Sequence, residues 1–271
     1  MKELKQSFEY ILNLDVASLL KSDIIDQEII HQSKVIGSGG ETKISDKLQY
    51  LLEHDDVFKI KFEKFLRNCQ YVFIYDEIIT ANQVIKSKNP RKTYRSFAYY
   101  ESYLGTIKAE IEGGNLTKGD KIIFIGSGPL PITLIQLYEH YGIESIGIEI
   151  IPEVAALSRQ LISSLGLSDK IEIVTGNHFS IKSAKDIKHI IVALAAEPKD
   201  EILQWLKTVI SKDTSVSYRF EEYEDKAEKL KDLFVFQERK YKEFDGYTTT
   251  KIIKPAPPSR NIIAIVKPSL N

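Results

Sequence analysis

The spacing of apolar residues divides the chain into two parts with different periods. Before about residue 112, apolar residues recur at intervals of three and four, as at Phe8, Ile11, Leu48 and Leu51, which predicts amphipathic helices. Gly113-Gly114-Asn115 interrupts this pattern, and short β-branched runs follow it. The predicted strands are Lys121–Ile125, Ser145–Glu149, Ile171–Thr175, His189–Leu194, Ser215–Phe220, Tyr247–Lys254 and Asn261–Lys267.

Helical stretches separate most of these strands, which predicts a parallel α/β sheet covered on both faces. The last two strands are joined by Pro255–Arg260 without a helix, so we expect an antiparallel pair at the end of the sheet. This outline resembles the Rossmann-like domain of class I S-adenosylmethionine-dependent transferases. The predicted domains are a helical N-terminal domain over residues 1–112 and a Rossmann-like domain over residues 113–271.

The remaining segments are interpreted as connections and surface. Gly37–Gly40 follows no strand and precedes no Gly-Lys-Ser/Thr, so a linker is favoured over a phosphate loop. The basic segment Lys86–Arg95 is interpreted as a linker, and Glu221–Asp232 as a solvated helix face. Ser45 is placed to cap the helix that follows it.

Composition and charge narrow the classes of function. The apolar fraction of 43% and the charged fraction of 28% are typical of a soluble globular protein. A net charge of −1 argues against a nucleic-acid partner, and no apolar run is long enough for a membrane span. A single cysteine cannot form an internal disulfide. The five histidines are widely scattered along the chain, so we expect no metal site. We expect a cytoplasmic protein, because the first residues lack a secretory pattern.

The stretch Gly126–Pro131, GSGPLP, follows the first predicted strand and precedes a helix, as in nucleotide-binding loops. Glycine lets the backbone turn tightly and approach a ligand, and Pro131 suits the first position of the helix. The two prolines remove N–H donors that a pyrophosphate needs, which argues against NAD or FAD and for a ligand without phosphates. The residues predicted to bind this ligand are Gly126, Ser127, Gly128, Pro129 and Leu130.

An acidic residue stands at the distance where ribose is usually bound. Glu149 ends the second strand 149 − 128 = 21 residues after Gly128, which favours binding of ribose hydroxyls over an exposed strand end. Asn177 and His178 follow the third strand, where such folds contact adenine, although His178 can equally be an ordinary loop residue. A nucleoside without phosphates, held by its ribose, fits S-adenosylmethionine as co-substrate.

Two motifs together carry a more specific resemblance. Phe97–Tyr103, FAYYESY, precedes Gly126–Pro131, and Ala193–Pro198, ALAAEP, follows them. This combination resembles the nicotianamine synthase family over about Tyr71 to Phe220, and its bacterial, staphylopine-type members that make opine metallophores are the most similar in pattern. The resemblance implies transfer of the 3-amino-3-carboxypropyl (aminobutanoyl) group of S-adenosylmethionine to the amine of an amino acid, D-histidine in the expected case, with release of 5′-methylthioadenosine. It implies no metal requirement.

The resemblance also implies roles for individual residues. Glu77 corresponds to a catalytic base and Tyr103 to its orienting neighbour; without the resemblance, Glu77 is a surface residue on a helix. Because Glu77 falls in the predicted helical domain, we expect the acceptor to be caught between the two domains. Arg95 is a candidate clamp for an acceptor carboxylate, with an ion pair as the alternative. The further residues placed at the site are Ala193 for the co-substrate and Tyr100, Leu194, Tyr218 and Arg219 for the acceptor.

Two other functions fit the same sequence. A small-molecule methyltransferase on this fold would release S-adenosylhomocysteine, and a non-catalytic S-adenosylmethionine-binding protein would release nothing. The expected partner is a small-molecule amino-acid acceptor, with neither nucleic acid nor membrane, and a homodimer is a candidate assembly.

Overall fold

The computed structural model describes residues 45–221, 240–259 and 261–269, without the side chains of residues 65–73 and 75. The predictions for Phe8 and Ile11, for Gly37–Gly40 and for residues 222–232 lie outside the described part. Ser45 caps the first described helix as predicted, because its hydroxyl accepts the Leu48 N–H at 3.2 Å.

The helices and strands follow one another in the order expected from the apolar pattern. The helices are α1 (Asp46–His54), α2 (Asp56–Lys86), α3 (Pro90–Arg95), α4 (Tyr100–Gly114), α5 (Ile132–Tyr141), α6 (Pro152–Ser164) and α7 (Lys199–Val209). The strands are β1 (Lys121–Ile125), β2 (Glu144–Glu149), β3 (Ile171–Thr175), β4 (His189–Val192), β5 (Ser215–Phe220), β6 (Tyr247–Ile253) and β7 (Ile262–Pro268).

The seven strands form one sheet in the order β3-β2-β1-β4-β5-β7-β6. Strands β1 to β5 pair in parallel, and β7 pairs antiparallel with both β5 and β6. The predicted Rossmann-like α/β fold with an antiparallel end is therefore confirmed. The carboxyl ends of the parallel strands lie along one edge, where ligands bind in open α/β sheets.

Both faces of the sheet are buried, as a parallel sheet requires. Along β1, Ile122 and Phe124 pack into the core shared with α4, α5 and α6. Ile123 and Ile125, which point to the opposite face, pack into a second core shared with α7. Alternate residues of one strand thus belong to different cores.

The contacts divide the chain at a different point from the predicted one. One unit includes residues up to Asp76, and the other contains Glu77–Glu221 and Tyr241–Asn271. Helix α4 belongs to the sheet-containing unit because it packs directly on the sheet: a β-carbon on Gly113 would overlap the Ile265 side chain of β7. The predicted domain boundary at residues 112/113 follows the change of apolar period and stays a prediction.

The basic segment Lys86–Arg95 is more ordered than a linker. Helix α2 ends at Lys86, and α3 begins after Asn89, whose side chain accepts the Lys92 N–H at 3.2 Å. Pro90 occupies the first turn of α3, where its missing N–H removes no helical hydrogen bond. A cap and a proline at the right positions are enough to form this short helix.

Candidate active site

The glycine loop lies at the carboxyl edge of the sheet, between β1 and α5. Gly126 and Gly128 have φ of +84° and +71°, a region that glycine occupies without strain. The N–H groups of Gly126 and Ser127 both donate to the Ile148 carbonyl of β2, at 2.9 and 3.1 Å. Pro131 precedes α5 as its N-cap, one position before the predicted one, and its carbonyl accepts the first helical hydrogen bonds. The loop is thereby fixed to two neighbouring elements.

Glu149 is tied to the same loop. Its Oε2 accepts the Gly128 N–H at 3.0 Å, and its Oε1 accepts the Ile151 N–H at 3.0 Å. The residue is only 7% exposed, so the carboxylate is held in one orientation at the end of β2. A carboxylate oxygen accepts more than one hydrogen bond, so both oxygens keep capacity for ribose hydroxyls.

The sequence analysis missed two apolar side chains beside the predicted adenine contacts. Ile150 is 65% exposed directly after Glu149, and Phe179 is 41% exposed two residues after Asn177. The side chain of Asn177 accepts the Phe179 N–H at 3.0 Å, and the buried His178 ring lies 4.1 Å from the Phe179 ring. Exposed apolar residues at a ligand-binding edge suit a flat base. Ile150 directly follows the end of β2, and Phe179 lies four residues after the end of β3, and these positions were the available signal.

The segment after β4 approaches the glycine loop from the other side. A β-carbon on Gly126 would lie 3.1 Å from Cβ of Ala193, so these two residues are in close contact. The Leu194 carbonyl accepts a hydrogen bond from the Lys199 ammonium at 2.9 Å, and Lys199 also pairs with Glu197. Lys199, which the sequence analysis did not select, fixes the course of this segment.

Glu77 and Tyr103, which are distant in sequence, are brought together at the glycine loop. The Tyr103 hydroxyl donates to Glu77 Oε1 at 3.3 Å. A β-carbon on Gly128 would lie 3.1 Å from Glu77 Oε2, so the carboxylate lies against the loop. Burial of the hydroxyl, reinforced by the negative charge of Glu77, raises the pKa of Tyr103 well above its usual range. Tyr103 therefore remains a protonated donor at neutral pH. Both residues belong to the sheet-containing unit.

Arg95 and Tyr100 lie at the other end of α5. Arg95 pairs with Glu139 at 3.3 Å, and the Tyr100 hydroxyl lies 3.1 Å from His140 Nε2. Both partners are in the last turn of α5, which begins at the glycine loop and is about 15 Å long at 1.5 Å per residue. Arg95 therefore forms an ion pair, which was the alternative to its role as a carboxylate clamp. From the last turn of α5, neither Arg95 nor Tyr100 reaches the glycine loop.

Tyr218 and Arg219 point to opposite faces of β5. The Tyr218 hydroxyl donates to the Lys242 carbonyl at 2.6 Å, within the core shared with α7. Arg219 points to the α4 face and donates through Nε to Glu110 at 3.1 Å. Both residues are buried, with exposures of 0% and 3%. Direct contact with substrate stays a prediction for these two residues, and each has a structural partner.

Gly147 in β2 provides the room that the glycine loop needs. A β-carbon there would lie 2.9 Å from Cβ of Ser127, 2.9 Å from Leu134 Cδ1 and 2.8 Å from Ile173 Cδ1. We expect Gly147→Ala to lower the free energy of unfolding by about 1–3 kcal/mol through overpacking, measured by thermal or urea unfolding. The double variant Gly147→Ala, Ile173→Val removes one of the clashing atoms and should recover part of the loss. Equal stability of the single and double variants would contradict this account.

Within residues 45–221, 240–259 and 261–269, no three His, Cys, Asp or Glu side chains are grouped as metal ligands. No helix in the described segments combines the length and the apolar character of a membrane span.

The fold and the loop define the protein as a Rossmann-like α/β protein with a nucleoside-type site at the carboxyl edge of its sheet. A family model described as nicotianamine synthase protein matches residues 45–271. The chain therefore belongs to the nicotianamine synthase family.

Curated relatives match over part of their length. An L-histidine 2-aminobutanoyltransferase of Yersinia pestis is 26% identical over 169 residues, which cover 62% of this chain and 61% of the relative. An enzyme of the same description from Pseudomonas aeruginosa (strain UCBPP-PA14) is 22% identical over 121 residues, covering 45% of this chain and 46% of the relative. The matched region thus spans about half to three fifths of these relatives.

Solved structures match over almost the whole chain. The crystal structure of a protein called MtNAS, in complex with MTA and tNA, has a TM-score of 0.69 at 24% identity and covers 98% of both chains. A glutamate-to-glutamine variant of MtNAS in complex with S-adenosylmethionine has a TM-score of 0.68 at 23% identity, covering 96% of this chain and 97% of that one. At this identity the likeness establishes the fold.

Proposed function

We propose that this protein is an S-adenosylmethionine-dependent aminobutanoyltransferase. It transfers the 3-amino-3-carboxypropyl group to the amine of an amino acid and releases 5′-methylthioadenosine. The observation that carries this proposal is the Glu77–Tyr103 pair, whose carboxylate lies against Gly128 of the glycine loop. A methyltransferase would need such a base only if its acceptor were also protonated. Membership of the nicotianamine synthase family favours aminobutanoyl transfer over methyl transfer.

The loop supports a nucleoside co-substrate that lacks phosphates. Pro129 and Pro131 remove two N–H donors, and the Gly128 N–H is already bonded to Glu149. Glu149 would hold the ribose, and Ile150 and Phe179 would enclose the base between apolar side chains. The methionyl arm would then extend from the sulfonium towards Glu77.

The reaction needs a group that takes a proton. An acceptor ammonium has no lone pair, so we assign Glu77 as the general base that removes a proton from the nitrogen. The nitrogen then attacks Cγ of the methionyl arm, opposite the sulfonium, and a C–N bond forms. The Cγ–S bond breaks, its electron pair stays on sulfur, and methylthioadenosine leaves as a neutral thioether. The product nitrogen is a secondary ammonium, and Glu77 releases the proton that it took to solvent, which restores the carboxylate. Since all three carbons on sulfur are electrophilic, position decides which one reacts.

The proposed acceptor is histidine, and the product is a precursor of a nicotianamine-like opine metallophore. The Yersinia and Pseudomonas relatives are described as acting on L-histidine, whereas the resemblance led us to expect D-histidine. The enantiomer therefore stays a prediction, as do a cytoplasmic location and a homodimer. No metal is assigned a role in the reaction.

Mass spectrometry of the purified protein with S-adenosylmethionine and a panel of amines, including both histidine enantiomers, tests the proposal. We expect methylthioadenosine together with an aminobutanoyl adduct on one histidine enantiomer. S-adenosylhomocysteine would instead identify a methyltransferase. Tight binding without product from any amine would favour the non-catalytic alternative.

Tyr103→Phe tests the partner of the proposed base. The variant loses the hydroxyl that donates to Glu77, so the carboxylate is less well oriented and its charged form less stabilised. We expect kcat to fall about tenfold, as for the loss of one charge-assisted hydrogen bond. The acidic limb of the pH–rate profile should move to higher pH, because the carboxylate then gains a proton more readily. Tyr50→Phe, on a 61% exposed tyrosine of α1, is the control and should leave both kcat and the acidic limb unchanged. An unshifted acidic limb in Tyr103→Phe would separate Tyr103 from the base.

A further inference from the structure

A cluster of charged and polar side chains is buried between α4 and the sheet, outside the proposed site. We call it the Glu110 cluster, and its members are Thr133, Glu110, His189, Ser217 and Arg219, each no more than 3% exposed. Glu110 accepts hydrogen bonds from Arg219 Nε at 3.1 Å and from the Ser217 hydroxyl at 2.6 Å, and His189 Nε2 lies 3.4 Å from its Oε2. Burial alone would raise the pKa of Glu110, but His189 and Arg219 lower this pKa, so the carboxylate stays charged.

Stability alone does not account for a charged pair at this depth. Removing two charges from water costs several kcal/mol per ion, and well-packed apolar residues of similar volume are often as stable or more so. Such a pair does fix the orientation of neighbouring groups, because the planar guanidinium holds its hydrogen-bond partners in fixed positions. The role of Arg219 can therefore be inferred from the helices and strands that it joins.

Arg219 contacts both sides of the glycine loop. Its Nη2 donates to the Thr133 hydroxyl at 3.2 Å, in the first turn of α5, directly after the loop. Its guanidinium carbon lies 5.0 Å from the centre of the Phe124 ring, in the strand directly before the loop. One side chain thus bridges β1, α5 and, through Glu110, helix α4.

Helix α4 links this cluster to the proposed base. Tyr103 and Glu110 are seven residues apart on α4, which is two helical turns, so both side chains lie on the same side of the helix. The positive charge of Arg219 also acts on the Tyr103 hydroxyl, where it lowers the pKa against the larger effect of burial. Any movement of α4 against the loop would displace Tyr103 and its hydrogen bond to Glu77.

We propose that Glu110 and Arg219 are positioning residues that hold Tyr103 on α4 in register with the glycine loop. This role rests on the proposed aminobutanoyl transfer. By fixing α4 to β1 and α5, the pair sets where the Glu77 carboxylate meets the acceptor nitrogen.

Arg219→Lys tests the pair, with Ser158→Ala, at a buried serine of α6 outside the cluster, as the control. Lysine keeps the charge but cannot reach Glu110 and Thr133 together. We expect kcat to fall about tenfold with KM for S-adenosylmethionine changed less than about threefold, because a small misplacement weakens the chemical step more than binding. Ser158→Ala removes a buried hydroxyl that makes no hydrogen bond to the cluster, and its kcat should stay within about twofold of the parent. If Arg219→Lys does not fold, Thr133→Val removes the α5 contact alone and should lower kcat in the same direction.

A double variant distinguishes positioning from a loss of stability. If the pair acts through Tyr103, the kcat of Arg219→Lys, Tyr103→Phe should be within about threefold of the lower single variant, rather than the product of both losses. A merely structural role predicts the full product and a lower melting temperature in every background. Multiplicative losses, or the same loss in Ser158→Ala, would overturn the proposal.

Amide hydrogen exchange gives a readout that does not need turnover. We expect faster exchange around Tyr103 and around Gly128 in Arg219→Lys, and parent-like exchange at both segments in Ser158→Ala. If the parent protein forms no methylthioadenosine, the proposed reaction fails, but this comparison still decides whether Arg219 holds α4 to the loop. Unchanged exchange at both segments would reject the positioning role.

Discussion

Replacing Glu77 by glutamine should remove most turnover and leave S-adenosylmethionine binding near normal. Glutamine has the same shape and can still accept a hydrogen bond from Tyr103, but its amide cannot take a proton from an ammonium. General-base catalysis contributes about 10²- to 10⁴-fold, so we expect kcat to fall by at least about 100-fold. The rate of methylthioadenosine formation measures the first effect, and calorimetric titration with S-adenosylmethionine measures the second.

Asp76→Asn is the matched control for this experiment. It makes the same chemical change one residue earlier on α2, where side chains point in a different direction around the helix. We expect its kcat to stay within about twofold of the parent, since only the positioned carboxylate serves as base. Retained turnover in Glu77→Gln would refute the assignment. Equal losses in both variants would indicate an effect of net charge rather than of a base.

Gly128→Ala should weaken S-adenosylmethionine binding and turnover by more than about tenfold, because a 1 Å misplacement of the reacting groups can cost about 100-fold. Two effects combine at this position. Its φ of +71° is strained for any residue with a β-carbon, by roughly 1–2 kcal/mol. The new β-carbon would also lie 3.1 Å from Glu77 Oε2, so it would push the carboxylate or the loop away. Binding is measured by calorimetry and turnover by methylthioadenosine release.

Gly166→Ala separates these two effects. Gly166 has a φ of +69°, almost the same as Gly128, but a β-carbon there meets nothing within 4 Å. Through this strain both variants should lose roughly 1–2 kcal/mol of the free energy of unfolding, while only Gly128→Ala loses binding and turnover. If Gly166→Ala impairs the reaction equally, the loss arises from global stability and not from the contact with Glu77.

The two substitutions at Glu77 and Gly128 alter the same carboxylate in two different ways. Glu77→Gln changes its chemistry without changing its position, and Gly128→Ala changes its position without changing its chemistry. A base that acts on an acceptor bound beside the loop should be sensitive to both. A residue with only a structural role on α2 would be sensitive to neither beyond its effect on the melting temperature.

The strands and the glycine loop were predictable because their causes are local. The β-branched composition of Lys121–Ile125, Ile171–Thr175 and Ser215–Phe220 predicted strand bounds identical to those of the structure. The requirement for positive φ at Gly126 and Gly128 also follows from the residue type and its place between a strand and a helix. Such features depend on neighbours a few residues away, which the sequence displays directly.

The candidate base was accessible to sequence reasoning only through the family resemblance. No local feature distinguishes Glu77 from its neighbour Asp76. The structure distinguishes Glu77 from Asp76, because the Glu77 carboxylate accepts the Tyr103 hydroxyl and lies beside Gly128. Tyr103 and Gly128 belong to other parts of the fold. Contact between residues so distant in sequence depends on how helices pack, and spacing carries no information about it.

By itself, the sequence determined the order of elements, the parallel sheet with its antiparallel end, and the loop that prefers a ligand without phosphates. The tertiary structure decided which side chains meet: it joined Glu77 to Tyr103, placed Arg95 beside Glu139 at the far end of α5, and buried Arg219 against Glu110. The physical reason is that secondary structure follows from local periodicity. The direction of a side chain depends on how its helix packs against the sheet. If a helix turned about its own axis by the angle between two successive residues, its side chains would meet different partners.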